Sequence, residues 1–187
     1  MFKRFIDIIF SLIFLPLFFF PMLIIVLIIY FDSGKPFIYW SKRVGKNNNI
    51  FNMPKFRTMN NSTPDVATHL LKNSDEYLTG FGLFMRKFSI DEIPQLYSIL
   101  IGDMSVVGPR PALYNQDNLI KLRTTLKIDT IRPGLTGLAQ INGRDSLSIE
   151  EKVNFDYEYL KKRSLLLDIK IFFFTIYNVI TKKNIRH

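Results

Sequence analysis

The chain has 187 residues, enough for one domain with a packed core and an appendage. It carries 25 Lys and Arg against 16 Asp and Glu, a net charge of +9, which directs attention to acidic partners: nucleic acid, anionic lipid or a phosphorylated substrate. It has no Cys, which excludes disulfides, Cys-zinc sites and thiol nucleophiles; with only His69 and His187 a Ser-His-Asp arrangement is disfavoured too, and catalysis falls to carboxylates and cations.

After "MFKRFID" comes "IIFSLIFLPLFFFPMLIIVLIIYF", residues 8–31, free of charge and longer than the about 20 residues that cross a bilayer. The run is too long for a cleavable signal and no small-residue cleavage site follows it, so it reads as a membrane segment. Pro21 divides it into pieces of about 13 and about 10 residues, each about 15 to 20 Å long as a helix and short of the about 30 Å hydrocarbon core. Lys3 and Arg4 precede the run and Lys35, Lys42, Arg43 and Lys46 follow it, so the positive-inside bias does not send its ends to opposite faces. A hairpin entering and leaving one leaflet satisfies both facts, and a Pro-kinked spanning helix stays open beside it. On the hairpin reading residues 1–31 form one unit with both ends on the cytoplasmic side. Replacing Pro21 by Leu should then straighten the helix and push the N-terminus outward.

Past the anchor, "SGKPFIYWSKRVG" and "NNNIFNMPKFRTM" place short aromatic and aliphatic runs between Gly, Asn and Pro, as in a loose hairpin or short strands. "NNSTPDVATH" reads as a surface loop, and "LLKNSDEYLTGFGLFMRKF" as one or two short helices. Over residues 89–100 a further helix is predicted: Ser89 and Glu92 have capping-box spacing, and Ile90, Ile93, Leu96 and Leu100 recur at helical intervals. Pro94 would fall at the fifth helical position, where it removes a bond to the Ile90 carbonyl, so a distorted first turn is expected. Asp91 and Glu92 suit a helix start by their charge, the reading the stretch favours when taken alone, and beside Arg86 and Lys87 a reaction centre is the other. "IGDMSVVGPRPALY" reads as a turn, a buried apolar pair and a proline-bracketed arginine. The last segment, "EEKVNFDYEYLKKRSLLLDIKIFFFTIYNVITKK", reads as helices ending in an apolar stretch too short to span, lying on the membrane surface or in the core.

Arginines set among Gly and Pro recur, Arg110 in "VGPRP", Arg132 in "IRPGLTG" and Arg144 in "INGRD". Pro fixes the backbone, Gly allows close approach, and a guanidinium offers planar donors matched to phosphate. Both glycine signatures of nucleotide folds are missing, and "SGKP" alone means nothing. No basic run with interleaved aromatics and no groove-reading motif occurs, so nucleic acid is not an expected partner. A non-catalytic membrane adaptor that binds anionic lipid or nucleic acid through its basic surface is the competing class, supported by charge alone.

"KPFIYWSKRVGKNNNIFNMPKFRTM", "LTGFGLFMRKFSIDEIPQLYSILIGDMSVVGPRP" and "IRPGLTGLAQINGRD" resemble the three signature blocks of the bacterial sugar transferase family, the monotopic phosphoglycosyl transferases, in their minimal form. The likeness covers nearly the whole chain, with the motifs in order. It implies an α/β, mostly α, membrane-associated fold. In that fold a re-entrant helix is broken at a proline, a small catalytic domain (32–187) has short strands and several helices, and a C-terminal helix lies at the interface. It implies a place on the cytoplasmic face of the bacterial inner membrane, magnesium dependence, and transfer of a phospho-sugar from a UDP-sugar to polyprenol phosphate with release of UMP. The family's Asp-Glu dyad falls on Asp91 and Glu92, with Asp91 as nucleophile on the β-phosphorus and both carboxylates as candidate Mg²⁺ ligands. Lys55, Arg86, Arg110, Arg132, Gln140, Asn142 and Arg144 are the implied substrate contacts. Ser41 stands where family members carry Gln and Leu138 where they carry Trp. The sugar is not legible, and self-association as a homo-oligomer is left open.

Overall fold

In the computed structural model, residues 2–60, 63, 74–143 and 146–181 are described. Helix α1, Phe2–Ser33, runs as uninterrupted α-helix through Pro16 and Pro21. The division expected at Pro21 is therefore not seen as a break in helical structure. Membrane helices tolerate such prolines because neighbouring groups re-satisfy the freed carbonyls. Of the most apolar stretch of α1 only 11% is buried, which sets it apart from the core helix of a soluble protein. Phe2, Phe5, Leu12, Ile13, Leu17, Phe20 and Phe31 are exposed, while Asp7, Ser11, Ile25 and Ile29 are buried.

Both ends of α1 are tied to the same folded body. Near its start, Arg4 Nη1 and Nη2 donate to the carbonyls of Ile99 and Leu100 at 2.5 and 2.7 Å, and Asp7 Oδ1 accepts from Ser105 Oγ and Val106 N–H, each at 3.0 Å. At its other end Asp32 Oδ2 accepts from Phe81 N–H at 3.2 Å, and Arg57 Nη2 donates to Ser33 O at 2.6 Å and Gly34 O at 2.7 Å.

Strands β1 (Ile38–Val44) and β2 (Ile50–Phe56) form an antiparallel hairpin pairing Ile38 with Phe56 and Val44 with Ile50, as the sequence leads one to expect. Its turn places Asn47 and Asn48 at φ 55° and 59°, the left-handed region that Asn tolerates. After α2 (Gly82–Lys87) a 3₁₀ turn over Ile90–Glu92 leads to α3 (Gln95–Ile101). A second sheet pairs β3 (Ser105–Val107) in parallel with β4 (Gly134–Thr136). A Cβ at Gly134 would lie 2.1 Å from Gly108 N, so no larger residue fits there. Helix α4 (Asp117–Thr125) lies between these strands in sequence, and α5 (Leu138–Ile141), α6 (Ile149–Lys162) and α7 (Leu165–Thr181) follow.

Among the described residues three apolar clusters join the parts. Met53, Leu96, Ile99, Met104, Val107 and Tyr159 form the largest, with Phe10 and Phe14 of α1 and Phe172 of α7 against it. Ile25, Ile29, Phe56 and Met85 form the second, and Ala112, Leu119, Ile128 and Val153 the third. Helix α7 is a surface helix and not a core one: Ile171 is buried while Leu166, Phe173 and Ile180 stand exposed. The expected loop over residues 60–69 lies almost wholly outside the described residues.

Candidate active site

The dyad does not start an α-helix. Ser89 sits at φ 54°, ψ 24°, where an N-cap would be extended, and its side chain makes no cap bond. The capping box expected at Ser89 and Glu92 is thus absent, and one forms instead at Ser148 and Glu151, with Glu151 N–H on Ser148 Oγ at 3.1 Å and Ser148 N–H on Glu151 Oε2 at 2.7 Å. The distortion expected from Pro94 is present: the 3₁₀ turn ends before it, and Pro94 becomes the residue preceding α3, where its missing N–H costs nothing.

Freed from capping, the Glu92 carboxylate points at cations. Its Oε1 accepts from Lys55 Nζ at 2.9 Å and from Arg110 Nη2 at 2.7 Å. Lys55 Nζ also stands 3.9 Å from Asp91 Oδ2, so the adjacent carboxylates, each 7% exposed, converge on one ammonium. Lys55 comes from β2 and Arg110 from the segment after β3, so three separate stretches of chain meet here. Burial holds the Lys55 ammonium below its ordinary value; Glu92 opposes that most strongly, Arg110 adds to it, Asp91 opposes it and Arg43 adds to it.

Hydrogen bonds also fix other expected contacts. Gln140 Nε2 donates to Leu135 O at 2.9 Å, while its Oε1 is buried with no hydrogen-bond partner among the described residues. Arg86 Nε donates to Thr58 Oγ1 at 2.9 Å, Arg132 Nε to Gly102 O at 2.7 Å, and Asn142 Nδ2 to Leu138 O at 2.8 Å. Arg144 lies outside the described residues. Ser41 is buried and accepts from Arg43 Nε at 3.0 Å; Leu138 packs against the largest core cluster.

A cavity of about 340 Å³ opens from Glu92 and Arg110 into apolar surface. Phe10, Phe14 and Phe18 of α1 line one side, Phe172 and Ile176 of α7 the other, and Gln140 belongs to the wall. The i, i+4 spacing of the three phenylalanines is legible in the sequence, but their partner helix lies more than 150 residues away. Arg43 and Arg123 carry no flanking Gly or Pro, so their bonds to the Arg110 segment are not legible in the sequence.

Among the described residues no group of three or more His, Asp or Glu could hold a metal ion. The Asp91 and Glu92 pair still fits a Mg²⁺ that takes its other oxygens from substrate phosphates and water, the usual arrangement for that ion.

A mostly helical fold with a long apolar N-terminal helix and buried paired carboxylates facing two cations defines a class, and comparison with known proteins gives the family. Residues 1–182 match the family model described as bacterial sugar transferase. The exopolysaccharide production protein ExoY of Rhizobium meliloti is 39% identical over 181 residues, covering 88% of this chain and 77% of that protein. The undecaprenyl-phosphate glucose phosphotransferase of Komagataeibacter xylinus is 39% identical over 178 residues, covering 88% of this chain and 33% of that protein. The undecaprenyl-phosphate galactose phosphotransferase of Salmonella typhimurium is 37% identical over 159 residues, covering 76% of this chain and 33% of that protein. The chain belongs to the bacterial sugar transferase family.

Proposed function

We propose that the protein transfers a phospho-sugar from a UDP-sugar to polyprenol phosphate, releasing UMP and forming a polyprenyl diphosphate-sugar, the first membrane step of a glycan assembly. The observation that carries this reading is the Asp91 and Glu92 pair, facing Lys55 and Arg110 at the mouth of an apolar cavity between α1 and α7. The names of relatives that act on undecaprenyl phosphate agree with it.

An Asp91 carboxylate oxygen attacks the β-phosphorus of the donor. The bond from that phosphorus to the bridging oxygen breaks, and UMP leaves with the electron pair. A phosphate oxygen of the lipid then attacks the same phosphorus and returns Asp91 to its carboxylate. The first approach sets like charges together, about 4 kcal/mol per pair at 4 Å near a protein surface, and Lys55 and Arg110 offset it. Lys55 stands 2.9 Å from Glu92 and 3.9 Å from Asp91, so one ammonium serves both carboxylates. Asp91 and Glu92 would hold a Mg²⁺, which would supply further positive charge where UMP leaves. The polyprenyl chain occupies the cavity between the aromatic faces, with its phosphate toward Arg110, and Gln140 Oε1 takes a donor from a substrate.

Residues 1–31 serve as the membrane element and 32–187 as the catalytic part, on the cytoplasmic face of the inner membrane. The bonds of Arg4, Asp7, Asp32 and Ser33 hold both ends of α1 against one body, which supports a monotopic arrangement, since α1 could cross only if that body with its loops entered the bilayer too.

Purified protein given Mg²⁺, undecaprenyl phosphate and a panel of UDP-sugars should release UMP with at least one of them, and Asp91→Asn should stop it. Donor alone should leave a phospho-sugar mass on Asp91. Turnover that survives Asp91→Asn, or no adduct at any time, overturns the reading.

A further inference from the structure

The segment bearing Arg110 is held one carbonyl at a time. Gly134 N–H donates to Pro109 O at 2.9 Å, Arg123 Nη1 to Arg110 O at 2.8 Å, Arg43 Nη1 to Pro111 O at 3.2 Å, and Val44 N–H to Ala112 O at 2.9 Å. Pro109 and Pro111 have no N–H of their own, so this stretch depends on what donates to it.

The donor to Arg110 itself is a side chain from the last turn of α4, and that side chain is fixed in turn. Arg123 Nε and Nη2 both reach Asp156 Oδ2, at 3.0 and 2.6 Å. Asp156 projects from α6 and is 1% exposed. Burial pushes its carboxyl above the ordinary range while Arg123 pulls it down. A buried ion pair is a weak source of stability, often replaceable by apolar residues of like volume. A planar guanidinium, however, can grip a carboxylate with two N–H groups and aim a third at a carbonyl.

We infer that Arg123 and Asp156 are positioning residues for the transferase site, fixing the Arg110 backbone so that its guanidinium meets Glu92 Oε1 at 2.7 Å. The inference deepens the proposed reaction and takes its kinetic readout from it. Neither residue touches the dyad, so their effect travels through one carbonyl. Displacements of about 1 Å can cost about a hundredfold in rate.

Arg123→Lys keeps the charge beside Asp156 and removes the fork. The kcat of UMP release should fall at least about tenfold, with KM for the donor moving less. In an Arg110→Ala background the same substitution should have no further effect, and in an Arg4→Ala background, where the lost bonds are to the Ile99 and Leu100 carbonyls, it should keep its full factor. Equal factors in both backgrounds, or no loss of kcat, overturn the inference. Should Arg123→Lys not yield folded protein, Asp156→Glu, which keeps the pair and shifts the guanidinium, is measured in the same backgrounds. If the unsubstituted protein releases no UMP, the transferase reading fails by itself. Thermal midpoints then decide the positioning: shifts of Arg123→Lys and Arg110→Ala that are non-additive, beside additive shifts with Arg4→Ala, support it, and additive shifts throughout overturn it.

Discussion

Lys55 and Arg110 share one oxygen of Glu92, so each cation is set by the other as well as by the carboxylate. Removing one of them leaves a charge in a site whose dielectric is low. Lys55→Met should therefore lower kcat for UMP release by about a hundred- to a thousandfold, the usual size for one electrostatic contact in a reaction site, measured at saturating donor. Tyr159 gives a pH test away from the chemistry. Its hydroxyl donates to Asp168 Oδ1 at 2.7 Å, with Val107 O at 3.2 Å, and burial first, then the bond to Asp168, pushes its pKa well above the ordinary 10.0. The folded chain thus keeps a proton that the unfolded chain releases above 10.0, so this stabilisation is complete below 10.0 and is lost as the pH climbs toward the folded value. Denaturant unfolding in detergent should show stability falling with pH above that point. Tyr159→Phe should flatten the fall while costing about 1 kcal/mol at neutral pH through the lost bond.

At the scale of elements, α1 and α7 make the cavity that neither makes alone. Both present phenylalanines inward, and Phe10 and Phe172 meet edge to face with centroids 5.5 Å apart. Ile176→Trp should fill part of that space. Acceptor-dependent turnover should then fall about tenfold or more while formation of the donor adduct is unchanged, because the first half of the reaction needs no lipid. Rapid-quench measurement of UMP with and without undecaprenyl phosphate separates the two, and equal losses in both would place the lipid chain elsewhere.

Across the whole molecule, α1 is bolted at both ends to one body, by Arg4 and Asp7 at the start and by Asp32 and Ser33 at the finish. A cysteine introduced at position 2 should stay unlabelled by an impermeant reagent added outside whole cells. Pro21→Leu alone should no longer push the N-terminus outward, since the helix is already continuous through Pro21 and its first turns remain tied down. Adding Arg4→Ala and Asp7→Ala removes those ties and should expose the cysteine. Labelling of the singly substituted protein from outside would show that α1 crosses.

The sequence by itself determined the apolar segment, the β1–β2 hairpin, the buried pair Val106 and Val107, and the family, because each is written in neighbouring residues. Hydropathy, turn chemistry and motif order are local properties. Only the tertiary structure decided that Glu92 faces Lys55 and Arg110 and not the backbone of Ser89, that α7 lies on the surface, and that Arg123 reaches the Arg110 carbonyl. A local pattern states what a residue can bond to; which partner it takes depends on distant chain brought within 3 Å, and on whether the backbone between adopts the conformation the local bond needs. At Ser89 it does not, and the carboxylate goes to the cations.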